Sequence, residues 1–163
     1  MSDPVTVRLI EQYLDQFGWR KHTSIDEAGE QEGAVLTGWV GDAGLQHGLV
    51  IDPIVERGCL IFRVPKVFMA PLDETPGDRL SGLLAMLGLL NYQLLLGRWC
   101  FDPRDGEVSF KVGIPIDDGL GFKGFVRCIG AIAMSVDNDV PTLRDLLEGR
   151  TTLAAVLARS VPT

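Results

Sequence analysis

The side chains best suited to catalysis or metal binding in this sequence are two histidines and three cysteines. His22 and His47 lack the spacing of a metal-binding pair, and Cys59, Cys100 and Cys128 lie too far apart for a C-x-x-C motif. Each cysteine lies in an apolar segment, which is typical of a buried free thiol in a reducing cytoplasm. We therefore expect no metal, no cofactor and no enzymatic activity. Acid–base catalysis stays open as an alternative, because acids that are distant in the sequence can come together in the fold.

One glycine motif has the spacing of a nucleotide-binding fingerprint. Residues Gly119 to Gly124 match G-x-G-x-x-G, follow a predicted strand and open a predicted helix. The preceding strand alternates apolar and polar residues, however, which argues against a central parallel strand. Asp117 and Asp118 would also repel a pyrophosphate. We therefore expect no dinucleotide at this motif.

A long uncharged segment lies at the centre of the chain. From Leu80 to Gly97 there are eighteen residues without a charge, and apolar side chains cover every face of a helical period. Small residues at steps of four and three would let another backbone approach closely. We therefore predict a homodimer contact at Ser81, Leu84, Ala85 and Gly88. A core helix of a monomer is the alternative, and a membrane span is disfavoured because glycines and amides interrupt the segment.

The segment after this helix predicts a two-stranded hairpin. Apolar residues fall at every second position from Glu107 to Ile114, which is the pattern of a strand with one wet face. Its predicted partner is the strand from Arg98 to Asp102, with Trp99 pointing inward. Pairing Asp102 with Glu107 places Arg98 opposite Lys111 on the wet face, where like charges repel. We expect an acidic group of the same chain, or of a partner, to lie between them.

The first half of the chain predicts a helix followed by a three-stranded antiparallel meander. Asp3 and Pro4 are suited to begin the helix, and Gly18 is suited to end it. An acidic, solvated loop is predicted over residues 26–32. Strands are predicted at residues 34–40, 45–52 and 57–65, with turns at residues 41–44 and at Asp52-Pro53.

The first strand of this meander supplies two candidate partner-binding residues. Val35 and Trp39 share one face of the strand. Because aromatic anchors concentrate in protein interfaces, we predict Trp39 as an exposed anchor. Arg98 and Lys111 complete the candidate partner-binding set. A place for Trp39 in the core is the alternative.

The remaining segments predict a loop and further helices. Residues 66–77 are predicted to cross into the central helix, with Asp78 as its cap. After the hairpin, an amphipathic helix is predicted from Phe122 to about Asp137. A separate short helix through Leu147 and an amphipathic C-terminal piece are predicted to follow.

The composition indicates one globular domain with an acidic surface. The chain has 163 residues, a formal net charge of −7 and 46% hydrophobic residues. Nucleic-acid partners are disfavoured because their phosphates select for Lys and Arg. The first residues lead directly into an amphipathic segment with acidic residues, so no secretory signal is predicted.

Three stretches in the middle of the chain resemble the YbjN-like family of bacterial sensory-transduction regulators, whose fold is similar to that of type III secretion chaperones. They run from Leu90 to Trp99, from Phe101 to Val108, and from Ile114 to Asp118. The resemblance implies a dimeric α+β module that binds proteins and does no chemistry. It would hold a partly unfolded client or take part in stress signalling.

The predicted fold class is α+β, an antiparallel sheet with helix-β-β-β-helix-β-β-helix order, type III secretion chaperone-like. Residues 1–149 are predicted to form one domain and residues 150–163 a short C-terminal helical tail. The predicted function is that of a cytoplasmic, non-enzymatic homodimer that binds a client or regulatory protein, with no nucleic acid or membrane as partner. The alternative is a small-molecule-sensing dimeric regulator with an apolar pocket between the central helix and the sheet.

Overall fold

The sheet of this protein is antiparallel and carries its helices on one face. The computed structural model describes residues 5–26 and 33–160. In these residues the strand order is β1-β2-β3-β4-β6-β5. The helices are α1 (Val7–Phe17), α2 (Gly77–Gln93), α3 (Phe122–Leu147) and α4 (Leu153–Ser160), and the strands are β1 (Thr23–Asp26), β2 (Gly33–Val40), β3 (Gln46–Ile54), β4 (Cys59–Met69), β5 (Arg98–Asp102) and β6 (Glu107–Pro115). The predicted α+β class is confirmed.

The core lies between the sheet and the helices. Helix α1 packs on β1, β2 and β3, helix α3 packs on β6, and helix α2 packs on β5 and α3. Phe62 and Phe110 from the sheet and Phe125 from α3 are fully buried. The ring centroids of Phe62 and Phe125 are 5.8 Å apart. Each such side chain contributes about 1.5–3 kcal/mol to the free energy of folding.

The predicted hairpin is confirmed residue by residue. Asp102 pairs with Glu107, Trp99 with Phe110, and Arg98 with Lys111. Gly106 in the turn has a φ of 80°, and a side chain there would collide with the backbone of Pro71. The hairpin is also held to α2, because the Asn91 amide donates to the Trp99 carbonyl at 2.9 Å and accepts from the Trp99 N–H at 2.7 Å.

The predicted meander lacks one strand and places a turn wrongly. Strand β1 lies before the predicted acidic loop and pairs with β2 at the sheet edge, so the predicted element order was one strand short. Asp52-Pro53 lies inside β3, and the turn occurs at Val55–Arg57, closed by Gly58. Pro53 lies beyond Ile51, the last residue of β3 that pairs with β2, so it has a paired strand on one side only, where a residue without an N–H is tolerated. Residues 27–32 of the predicted loop lie outside the described residues.

Strand β4 also runs further than predicted. It continues to Met69 through a shift in its pairing with β6 between Val64 and Phe68. Lys66 within this bulge has a φ of 48°, and its N–H donates to a Glu107 carboxylate oxygen at 3.1 Å. Between Val64 and Phe68 β4 advances four positions while β6 advances two, so two extra residues interrupt the pairing, and such an irregularity has no periodic signature.

The N-terminal caps of two helices differ from those predicted. Thr6 caps α1, and its hydroxyl accepts from the Leu9 N–H at 3.2 Å. The predicted cap Asp3 and the following Pro4 lie outside the described residues. Helix α2 begins at Gly77, after Pro76, so Asp78 lies in its first turn. At this position its negative charge interacts favourably with the positive end of the helix dipole. Gly18 ends α1 as predicted, with a φ of 97°.

The C-terminal half of the chain contains one long helix where two were predicted. Helix α3 runs for 26 residues, through the predicted end at Asp137 to Asp139 and through Pro141. Asp137 accepts from the indole N–H of Trp39 at 3.2 Å, and Asp139 accepts from that of Trp99 at 2.8 Å. Acids that commonly end helices by bonding to local backbone are here bound by donors from the sheet.

No helix among residues 5–26 and 33–160 is long and apolar enough to cross a membrane. The alternative prediction for α2, a core helix, applies to one side of it, where Leu83, Met86 and Leu87 are buried.

The bond between Trp99 and Asp139 predicts a measurable difference between two variants. Asp139→Leu removes the acceptor of a buried indole N–H, and we expect it to lower the free energy of unfolding by about 1–3 kcal/mol. Asp139→Asn keeps an acceptor of similar size and is the matched control, with a smaller expected loss. Urea unfolding of both variants measures the difference, and equal losses would show that the hydrogen bond does not hold α3 to β5.

Candidate protein-binding surfaces

The face of the sheet opposite the helices carries a continuous row of side chains, which we call the open-face row. Strand register places one residue from each of five neighbouring strands side by side. In order from the β5 edge they are Arg98, Lys111, Arg63, Val50 and Leu36. Paired side chains on one face lie about 4.5–5.5 Å apart at their Cβ atoms, so neighbours in this row contact each other.

Three cations form one half of the open-face row. Arg98 and Arg63 are exposed, Lys111 is half-buried, and none of the three makes an ion pair with a described residue. The predicted register of Arg98 and Lys111 is confirmed, whereas no acid among residues 5–26 and 33–160 forms an ion pair with either of them. Like charges directly opposite each other lower the stability of a sheet.

Asp102 and Glu107, which pair across the hairpin, bind other donors. Arg104 binds Asp102 in a fork, with its Nη2 at 2.6 Å and its Nε at 3.0 Å from the carboxylate. The hydrogen bonds from Arg104, with a smaller effect of the Lys111 charge, lower the pKa of Asp102 to about 2. Glu107 accepts from the Lys66 N–H. The low pKa keeps Asp102 ionised at neutral pH, yet neither carboxylate forms an ion pair with the cations of the row.

Two apolar side chains form the other half of the row. Leu36 is 37% exposed and Val50 is half-buried. The half-buried Ile61 lies beside them on β4. The open face thus changes from cationic to apolar along a single line across the strands.

The predicted anchors Val35 and Trp39 lie on the opposite, helix-covered face, so the expectation of an exposed pair there was wrong. Val35 is 0% exposed and belongs to the core. Trp39 is half-buried, stacks against Trp19 with ring centroids 6.0 Å apart, and donates its indole N–H to Asp137. The periodicity of β2 showed which residues share a face, but both faces contain apolar residues, so it could not show which one the helices cover.

His47 is buried against Trp39 on the helix-covered side of the sheet. It is 8% exposed, its ring lies 5.0 Å from that of Trp39, and its Nε2 lies 3.8 Å from an Asp137 oxygen. Gly41 leaves room for the same carboxylate, which a side chain at that position would displace. Burial lowers the pKa of His47, against an opposing effect of Asp137 and with a further lowering by Arg144.

His22 has carboxylate neighbours that the sequence did not suggest. Its Nε2 lies 2.9 Å from Asp15, and its Nδ1 lies 3.8 Å from Glu11. Both acids come from α1, one turn apart, so this cluster links the helix to the segment that leads into β1. It contains no nucleophile.

The three cysteines are free, and the glycine motif follows an antiparallel strand. Cys128 is buried, Cys59 and Cys100 are half-buried, and all three are free. Among the described residues no three His, Cys, Asp or Glu side chains are grouped to hold a metal. The strand before Gly119 is β6, which pairs antiparallel with both neighbours, so the motif is not part of a parallel βαβ unit.

The predicted dimer residues form an exposed strip on α2. The side chains or backbone of Ser81, Leu84, Ala85 and Gly88 are all exposed. The strip continues one turn further to Tyr92, which is 89% exposed, and Leu95 just beyond the helix is fully exposed. Large apolar side chains gathered on one exposed strip are typical of an interaction surface.

Comparison with solved structures supports the fold, whereas comparison of sequences finds no match. No protein-family model matches the chain, and the search of curated proteins finds no relative. The structure of YbjN from E. coli matches with a TM-score of 0.55 and 16% identity, over 83% of this chain and 91% of YbjN. The structure of the ExsC–ExsE complex matches with a TM-score of 0.53 and 16% identity, over 83% of this chain and 91% of that chain. The predicted YbjN-like, type III secretion chaperone-like fold is confirmed.

The burial of His47 predicts a pH dependence of stability. Because its pKa is lowered in the folded protein from an ordinary value of 6.5, the unfolded chain binds a proton more readily. The free energy of unfolding should therefore fall as the pH drops below about 6.5, and stop falling once the folded protein is protonated. His47→Gln should reduce this fall between about pH 7 and pH 5, measured by urea unfolding at each pH. His22→Gln is the matched control, and an equal effect of both variants would contradict the assignment.

Proposed function

We propose that this chain is a non-enzymatic protein-binding module, chaperone-like or regulatory, that acts as a homodimer. The observation that carries the proposal is the open-face row, where three cations and two apolar side chains are presented without a partner among the described residues. An extended polypeptide offers both carboxylates and apolar side chains for such a surface. ExsC, a type III secretion chaperone of similar fold, has been solved in complex with ExsE.

The exposed strip on α2 supports the homodimer. A second α2 helix could pack closely where Ser81, Ala85 and Gly88 present little side chain, with Leu84 and Tyr92 contributing apolar area. Two copies of one strip form a self-complementary contact, as twofold dimers require. We also propose that Arg98 and Lys111 bind a partner protein, on the open face of the sheet and apart from α2.

The non-enzymatic part of the proposal rests on how the reactive residues are used. His47 packs in the core against Trp39, His22 binds Asp15 of α1, and Cys128 is buried, which raises the pKa of its thiol. A reactive cysteine needs the opposite, a lowered pKa. Three free cysteines also fit a reducing compartment, and we propose the cytoplasm.

We also propose that residues 1–149 form one domain and that residues 150–163 form a short helical tail on it. Helix α4 in this tail packs on α2, and its Val156 is buried. The tail therefore lies next to the strip that we assign to the dimer.

A small-molecule-sensing dimeric regulator is the alternative function. A depression of about 620 Å³ lies between α2, the end of α3 and α4, with Arg79, Ala85 and Thr152 among its lining residues. The predicted place for a pocket, between α2 and the sheet, is occupied by the buried Leu83 and Leu87. A native mass of the purified protein above that of its chains would favour this alternative.

The direct test of the proposed function is affinity capture of the tagged chain from its native extract, followed by native mass spectrometry. We expect one polypeptide at fixed stoichiometry on a dimer of this chain. A folded dimer that retains no polypeptide, under normal and stress conditions, would contradict the protein-binding role.

The strip on α2 predicts that Gly88→Leu weakens the dimer. A side chain at Gly88 meets nothing within 4 Å in the monomer, so the variant should fold. Leucine is moreover the better helix former by up to about 1 kcal/mol. In the dimer the added side chain overpacks the contact, at a cost of about 1–3 kcal/mol.

The matched control is Gly130→Leu on α3, where an added side chain also meets nothing within 4 Å. Light scattering over a dilution series measures the mass of each version. Gly88→Leu should dissociate at a higher concentration than the control, and identical masses for both would place the dimer contact elsewhere.

A further inference from the structure

Repulsion among the three cations of the open-face row lowers the free energy of unfolding. No ion pair among the described residues offsets this repulsion. The cations stand in direct register on adjacent strands, Arg98 beside Lys111 and Lys111 beside Arg63. The chain has 22 acidic residues against 15 basic ones, yet none of the described acids forms an ion pair with these three. An acidic protein that gathers unpaired cations in one place has a surface suited to an external anion.

Two of the cations, Arg63 and Lys111, line a concave surface. One depression of about 380 Å³ lies between these two, Ser109 and the turn of the hairpin, and Asp102, Arg104 and Glu107 also line it. A second of about 300 Å³ lies between Arg63, Lys111 and Val50. Both share Arg63 and Lys111, so the two depressions adjoin along the row. Asp52 lines the second one and is the acid that limits its positive charge.

The length of the row defines what would fit it. Neighbouring strands are about 4.8 Å apart, so the three cations span about 10 Å and the five residues from Arg98 to Leu36 span about 19 Å. Alternate side chains of an extended peptide are about 6.7 Å apart, so four of them cover about 20 Å. Two carboxylates would lie between the three cations, and two apolar side chains would reach Val50 and Leu36.

We propose that the open-face row binds an extended segment of a partner protein in which acidic residues are followed by apolar residues, at alternate positions. This inference deepens the proposed protein-binding function, and rests on it, by naming the chemistry of the bound segment. A nucleic acid is the less suitable ligand, because its continuous phosphates would meet the net charge of −7 beyond the three cations.

The probe is a fluorescein-labelled peptide, Glu-Ser-Glu-Ser-Val-Ser-Leu, which places two carboxylates and two apolar side chains on one side. Its binding is measured by fluorescence anisotropy at about 50 mM NaCl, where exposed charges are weakly screened. The peptide with both Glu replaced by Gln is the ligand control. We expect the acidic peptide to bind at least about tenfold more tightly than the Gln peptide.

The protein variant combines Arg63→Gln, Lys111→Gln and Arg98→Gln. The matched control combines Arg20→Gln, Lys123→Gln and Arg127→Gln, three exposed positions away from the row that change the net charge equally. Thermal melting shows that both fold. The row variant should bind the acidic peptide at least about tenfold more weakly than the wild type, and the control variant within about twofold.

Several results would overturn the inference. The wild type would not bind the acidic peptide, or it would bind the Gln peptide equally tightly. Alternatively, the row variant and the control variant would lose the same amount of affinity for the acidic peptide. Tighter binding of an oligothymidylate through the same three residues would replace the peptide by a nucleic acid. A row variant that aggregates without any loss of peptide binding would instead assign the cations to protection of the sheet against self-association.

The inference and the proposed function fail in different ways. If the wild type captures a polypeptide from its extract and the row variant captures it equally well, the protein-binding function stands and the row is not its site. If the wild type captures none, the protein-binding function fails, whatever the peptide shows.

Discussion

Two hydrogen bonds from tryptophan to aspartate join the long helix α3 to the sheet and fix its position on one face. Trp39 in β2 bonds to Asp137, and Trp99 in β5 bonds to Asp139. The two strands lie near opposite ends of the sheet, so one turn of α3 is tied to both. Burial raises the pKa of Asp139, against a lowering by the indole, because a carboxylate pays for desolvation that one neutral donor only partly offsets.

This attachment decides which face of the sheet is open. With α3 and α1 on one side, Val35, Phe62 and Phe110 become core, and the alternate residues of the same strands face outward. Within the open-face row, cations lie on β5, β6 and β4 and apolar side chains lie on β3 and β2. Such a surface would bind a partner through charge at one end and through apolar contact at the other. This combination suits a polypeptide better than a small ligand.

The two candidate surfaces are separate, and this separation is consistent with a dimer that binds a partner. The strip on α2 lies on the helical side of the molecule, whereas the open-face row lies on the other side of the sheet. Self-association through α2 would therefore leave the row accessible in both subunits. Their chemistry also differs, since the strip is uncharged and the row contains three unpaired cations.

Features that depend on near neighbours could be predicted from the amino-acid sequence. The hairpin register followed from strict alternation and a turn with Gly106, and the order of the major elements followed from their periods and boundaries. Features that depend on distant contacts could not be predicted, because they are set by how the chain packs. Strand β1 is short and takes its order from pairing with β2, while α3 continues through Asp137 to Asp139 because indoles from the sheet bind those acids. Which side of β2 is buried was likewise undecided, because apolar residues occupy both faces and only the packing of the helices distinguishes them.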